Sequence, residues 1–317
     1  NCNIKQNIFF KFNVEKGEEV LSKVKTISLF GLEGKLIEVQ TDIGNGIPEF
    51  DIVGLPDTSL KEAKKRIISA IKNSGIKFPC RKILINLAPA NIRKEGSGFD
   101  LAMAIGILYA IGIISTVSFS LLRNTVFIGE LSLDGRINNT RGILAMCIEA
   151  KKLGIKKIVL PKANLSEIRI LEEVDIIPIE NVNQVVKYLN KEINISAFKC
   201  KENIIKKEYD NDFSEIKGQE NAKRALEISA AGNHNCLLIG SPGTGKTMLA
   251  KSLPTILPEL TVNEIMEIIK IYSISGKLHE GQIIFNRPFR TPHHTTTIKT
   301  IIGGGKIPIP RRNKFST

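Results

Sequence analysis

Apolar positions alternate in short runs along the first two thirds of the chain, and stretches of helical period separate those runs. Residues 26–30 and 36–43 read as strands joined by a turn at Gly31-Leu32-Glu33-Gly34. Further strands are predicted at 50–53, 82–87, 126–128, 158–160 and 176–179. Asp57 or Thr58 can cap a helix that runs to Asn73, where Gly75 stops it. Leu60, Ala63, Ile67, Ile68 and Ile71 keep helical spacing there, with Lys61, Lys64, Lys65 and Lys72 between them. Residues 99–111 form a helix apolar nearly all round, which predicts a central position. Helices are also expected at 141–153 and 182–189. This is an α/β pattern of mixed order, not a strict βαβ series. Residues 1–24 are polar, rich in Asn and Lys and without period, and are expected to be a poorly ordered extension. Residues 191–210 are charged, show no apolar period and read as an interdomain linker. After it come an apolar turn at 213–216, a helix at 219–231, a short strand at 236–239 and helices at 246–253 and 261–271.

The chemistry sits between that short strand and the helix after it. Gly240-Ser241-Pro242-Gly243-Thr244-Gly245-Lys246-Thr247 fits the pattern G-x-x-x-x-G-K-[ST] at every fixed position. Glycines let backbone N–H groups turn inward around a β-phosphate, and the helix N-terminus adds its positive dipole end. Lys246 can reach the β- and γ-phosphates, and the Thr247 hydroxyl can ligate Mg²⁺. ATP and Mg²⁺ are therefore the expected cofactors, with Lys246 and Thr247 as the catalytic pair.

Composition narrows the setting. At 317 residues, two domains are the natural expectation. No apolar run reaches transmembrane length, since residues 101–115 are interrupted by Gly106 and Gly112. Cys2, Cys80, Cys147, Cys200 and Cys236 are scattered and form no C-x-x-C, which fits a reducing cytoplasm and argues against zinc or a disulfide framework. The net charge of +13 points to a polyanionic partner, although solvated lysines alone give the same figure. After Glu280 the chain contains no Asp or Glu. Arg290, His293, His294 and Lys299 lie in that stretch and are candidates for contact with DNA phosphates. A structural role for the paired histidines is the alternative.

Several long strings carry a family resemblance. They are Ile37-Glu-Val-Gln-Thr-Asp-Ile43, Gly46-Ile-Pro-Glu-Phe-Asp-Ile-Val-Gly-Leu-Pro-Asp57, Asn86-Leu-Ala-Pro-Ala-Asn91 and Lys94-Glu-Gly96, followed by Gly218-Gln219, the glycine-rich loop and Arg287-Pro-Phe-Arg-Thr-Pro-His-His294. Together they resemble the ComM/YifB family of magnesium-chelatase-like AAA+ ATPases over about residues 25–310. The resemblance implies a Lon-protease-like α/β domain at 25–190, a linker at 191–212 and a partial AAA+ αβα module at 213–317. It further implies an ATP-driven, homo-hexameric, cytoplasmic motor that acts on single-stranded or branched DNA, with no membrane. A chaperone-like or regulatory ATPase, or a chelatase-type motor, is the competing reading.

The first domain is not expected to be a protease. In the register of the Lon serine string, Lys94-Glu-Gly-Ser-Gly-Phe-Asp100 puts Gly98 at the nucleophile position, and Leu144 falls at the position of the partner lysine. A Ser–Lys dyad needs a hydroxyl and an amine within reach. No apolar strand ending in Asp-Glu follows Lys246 in these 317 residues, so hydrolysis by this chain alone is not expected. Arg311-Arg-Asn-Lys-Phe-Ser-Thr317 departs from the family pattern. One choice of codons for it, read one base later, gives Glu-Glu-Ile-Ser-Leu-Ala, and a frameshift near Pro310 is the expectation.

Overall fold

A computed structural model describes residues 21–91, 94, 96–169, 171, 173–198, 209, 211–275 and 287–291. β1 (Ser22–Phe30) and β2 (Glu33–Gly44) form an antiparallel hairpin, with Gly31 at φ 62° in the turn. β3 (Glu49–Val53), α1 (Thr58–Asn73) and β4 (Lys82–Ala88) follow. Then come α2 (Asp100–Ala110), α3 (Phe119–Arg123), β5 (Thr125–Phe127) and the small ribbon β6 (Glu130–Leu131) and β7 (Ile137–Asn138). α4 (Ile143–Lys152), β8 (Lys157–Pro161), β9 (Asp175–Ile179) and α5 (Val182–Leu189) complete this part.

Seven strands make one sheet in the order β3-β4-β2-β1-β5-β8-β9. The pairs β3·β4, β1·β5, β5·β8 and β8·β9 are parallel; β1·β2 and β2·β4 are antiparallel. Alternation along β1 sends Val24 to one face and Ile27 to the other, as period two requires. Helices cover both faces. α1, α2 and α5 pack on the first, and α4 packs on the second. α2 is buried from Asp100 to Tyr109, in keeping with its lack of a polar face. Gly106 is what lets it lie so close: a Cβ there would stand 2.5 Å from the Thr41 hydroxyl oxygen on β2. α1 is capped by Asp57, whose carboxylate accepts from the Leu60 N–H at 2.8 Å. Burial of Leu60, Ile67 and Ile71 on its inner face contributes about 1.5–3 kcal/mol each.

The remaining elements are α6 (Glu220–Gly232), α7 (Lys246–Ser252) and α8 (Val262–Ile274). Phe213, Ile216, Leu226 and Leu249 form a small core of their own beneath α6 and α7. α8 does not join that core. Its Ile265 and Ile269 are buried with Ile143, Leu144 and Ile158 on the α4 face of the large sheet. The Ser273 hydroxyl donates to Glu167 at 2.7 Å. Gly142, at φ 72°, permits the approach, because a Cβ there would meet Leu29 at 2.2 Å and Ile274 at 3.2 Å.

Three expectations change. Residues 22–24, read as the end of a poorly ordered extension, open β1, with Ser22 and Val24 fully buried. The stretch read as a linker from 191 starts later. Ile193, Ile195 and Ala197 pack against the first core, and the Phe198 N–H donates to the Ile176 carbonyl at 2.8 Å. Their spacing of two is a strand-like period that the surrounding charges obscure. Residues 236–239, read as a strand, join no ladder among the described residues, and Leu237 and Ile239 are 81% and 87% exposed. The expectations for residues 1–20 and for His293, His294 and Lys299 lie outside the described residues.

Candidate nucleotide-binding site

The glycine-rich loop closes onto the start of α7. Gly243 (φ 82°) and Gly245 (φ 83°) both adopt left-handed backbone, with open space where a Cβ would stand. Their requirement is conformational: a side chain at this φ costs about 1–2 kcal/mol through its clash with the following carbonyl. At Gly240, a Cβ would lie 3.4 Å from the Thr244 hydroxyl and 3.9 Å from the Lys246 amine, inside the curve of the loop. Lys246 points into that curve. Its Nζ donates to the carbonyls of Gly240 at 2.8 Å and Ser241 at 2.6 Å, and to Thr244 Oγ1 at 3.2 Å. The Thr244 hydroxyl in turn donates to the Ser241 carbonyl at 3.0 Å.

The loop thus holds an ammonium at its centre by two carbonyl oxygens and one hydroxyl oxygen. The first N–H groups of α7 have no carbonyl within the helix to accept from them. Thr247 is exposed at the mouth, while Leu249 anchors α7 in the small core. Cation, free N–H groups and an exposed hydroxyl are the donor set that a polyphosphate with Mg²⁺ requires, so the residues present fit that group. Pro242 and Ser241 complete the outer wall and are exposed.

Arg290 is described, and α8 holds it. Its guanidinium lies 5.5 Å from the centroid of the Tyr272 ring and donates to the Tyr272 hydroxyl. Arg287 is fixed similarly, donating to the Pro258 carbonyl at 2.8 Å and pairing with Glu264 at 3.3 Å. Glu264 also closes the capping box of α8 with Thr261, and these hydrogen bonds, from the Thr261 N–H first, lower its pKa.

In the first domain, Gly98 sits against Thr140 and Ile128, and Leu144 is fully buried on α4. Neither can carry a hydroxyl–amine dyad. Ser97 donates to the Glu130 carboxylate. Lys94 is fully buried, donates to the Pro89 carbonyl, and burial pushes its pKa down. Sequence reasoning passed over Lys94 and Asp100 as structural centres. Asp100 accepts from Arg66 at 2.8 and 3.1 Å and from the Leu131 N–H at 3.3 Å. The one signal available was an ionisable residue at the start of an otherwise apolar helix.

Comparison with known proteins places this architecture. The family model described as subunit ChlI of Mg-chelatase matches residues 39–164, and that of magnesium chelatase, subunit ChlI, matches residues 212–313. Competence protein ComM of Haemophilus influenzae is 36% identical over 305 residues, which cover 94% of this chain and 58% of that protein. The uncharacterized protein YifB of Escherichia coli is 38% identical over 290 residues, covering 92% of this chain and 56% of its own. The chain belongs to the ComM/YifB family. It spans a little over half the length of these ComM and YifB relatives. The Lon protease of Clostridioides difficile is 23% identical over 190 residues, 56% of this chain and 24% of the protease. The mixed α/β fold carries that Lon likeness without the dyad, and the Mg-chelatase likeness spans the glycine-rich loop. Among the described residues no helix is long and apolar enough to cross a membrane, and no group of metal-ligating side chains is gathered.

Proposed function

We propose that this chain is the nucleotide-binding part of an ATP-driven DNA motor of the ComM type. Residues 25–190 form its Lon-like domain and residues 213–317 part of its AAA+ module. The observation that supports the reading most directly is the loop at 240–247, with Lys246 folded into a curve of carbonyls and two glycines at positive φ. In this reading Gly240, Ser241, Pro242, Gly243, Thr244 and Gly245 wrap the β-phosphate, Lys246 neutralises the β- and γ-phosphates, and Thr247 ligates Mg²⁺. Bound ATP would supply the phosphoryl group whose loss drives the motion. The chain's residues supply charge, orientation and a rigid helix start. DNA, a hexameric ring and a cytoplasmic location are parts of the same proposal, drawn from the ComM relationship. Arg290, His293, His294 and Lys299 remain the proposed phosphate contacts within the module.

The test has two parts. Lys246→Ala should remove the nucleotide-dependent thermal stabilisation of the 317-residue chain. Equal stabilisation in the two proteins rules the loop out. A protein of the relatives' full length carrying this sequence should then hydrolyse ATP faster when branched DNA is added. Absence of stimulation, with nucleotide binding intact, would favour the regulatory or chelatase-type alternative.

A further inference from the structure

The outer face of α1 carries a row of lysines. Lys61, Lys65 and Lys72 are all exposed. At 3.6 residues per turn they lie within about 40° of one line along the helix, and they span about 16 Å of its length. Ile68, the one other residue on that line, is half-buried. Beyond the helix, Lys77 and Arg81 are exposed in the connection to β4. From Ala63 to Lys94 the sequence contains no Asp or Glu.

The neighbouring acids are engaged elsewhere. Asp51 pairs with Lys64 at 2.8 Å, Asp100 with Arg66 at 2.8 Å, and Glu49 with Lys82 at 3.8 Å. Asp57 caps α1 and accepts from the Gly96 N–H. Glu62 is the one acid on the helix itself; it is exposed, about 100° round from Lys61 and about 60° from Lys65, and forms no ion pair with either among the described residues. Among the described residues, Lys61, Lys65, Lys72, Lys77 and Arg81 have no acidic partner.

We infer that this face is a contact surface for a nucleic-acid backbone, seating about three phosphates on Lys61, Lys65 and Lys72. Lysines on flexible stems read charge and not base sequence, so the contact positions a strand without choosing one. Each strand of a duplex carries a phosphate about every 3.4 Å of axis, so a straight stripe of this length faces several at once. The stripe has no protruding apolar side chain to enter a bilayer, which favours a polyanion over a lipid surface. The inference builds on the DNA reading above but concerns a surface in the other domain, and the two fail separately.

The experiment measures binding of fluorescent mixed-sequence oligonucleotides, duplex and single-stranded, by the 317-residue chain across a series of salt concentrations. The variant is Lys61→Gln, Lys65→Gln and Lys72→Gln together. A control carries Lys152→Gln, Lys156→Gln and Lys187→Gln, three exposed lysines elsewhere with the same change of net charge. The stripe variant should lose roughly tenfold in affinity or more near 0.1 M salt, and its log–log salt slope should fall by about 2–3. The control should keep most of both. Equal slopes in parent and stripe variant overturn the inference, as does an equal loss in both variants, which would mean net charge alone. So does binding of the parent to phosphatidylserine vesicles but to no oligonucleotide. Nucleotide stabilisation through Lys246, measured on the same proteins, reports on the loop reading independently and should be unchanged in the stripe variant.

Discussion

Asp100 is the residue at which burial and pairing oppose each other most directly. Burial pushes its carboxyl up to about 6, against the downward pull of the Arg66 guanidinium and the Leu131 N–H. Its ordinary value is 3.8, so between pH ~4 and ~6 the folded chain holds a proton that the unfolded chain releases. Stability from this group is therefore greatest below that window and falls as pH rises through it, by up to about 3 kcal/mol. Glu167 is shifted the same way, by burial against the hydrogen bonds from Ser273 and Asn164. Urea unfolding of the parent at pH 4.5 and 6.5 should show the fall (about two pH units apart suffices), and Asp100→Asn should shrink it. At the loop, Gly243→Ala should leave the fold intact and weaken nucleotide-dependent stabilisation, because the cost falls on the loop conformation and not on the core. A thermal-shift titration with Mg-ATP checks this. Gly106→Ala should do the reverse, lowering the melting temperature without touching the loop, since its Cβ would run into Thr41.

At the scale of elements, α8 is the most consequential packing event. Ile269 is fully buried against the α4 face, so Ile269→Ala should destabilise the large domain by about 2–5 kcal/mol, read by denaturant unfolding. Much of the first domain was legible from period alone: Ile27 and, on α1, Leu60, Ala63, Ile67 and Ile71 obey the periods of strand and helix, whereas Ile68 is only half-buried and Val24 falls in a stretch read as having no period. The loop was legible too, because its requirement is local and its residues are contiguous. The destination of α8 was not. Its apolar residues announce a buried face but not the partner, and the natural partner in sequence, α7, is the wrong one. Likewise Ile193, Ile195 and Ala197 were hidden by the polar residues between them, and β6 and β7 are too short to register as a pattern. Leu237 and Ile239 illustrate the converse. With Cys236 and Leu238 they form a continuous apolar run of the kind a buried strand shows, yet a strand exists only through neighbours, and none pairs with it among the described residues.

For the molecule as a whole, that exposed pair sets a solution property. Leu237→Lys should reduce concentration-dependent self-association, measured by light scattering, while leaving the unfolding of the large domain unchanged. The catalytic expectation is also molecular. Within the 317 residues the loop provides Lys246 and Thr247, but no acidic strand stands after them to hold Mg²⁺ through water and orient the attacking water. Steady-state turnover of the 317-residue chain should therefore match that of its Lys246→Ala variant, with binding and not hydrolysis distinguishing the two. Sustained, Lys246-dependent release of phosphate would contradict this.

The seat of α8 also has a temporal meaning. Glu167 and Ser273, which meet across it, are 106 positions apart. At about 5–20 residues per second, a ribosome delivers the second roughly 5–20 s after the first. For that interval the α4 side of the sheet lacks the helix that will cover it, with Ile143 and Leu144 waiting for Ile265 and Ile269. The first domain thus matures only after the glycine-rich loop has left the ribosome, and the nascent chain cannot finish one module before it has begun the other.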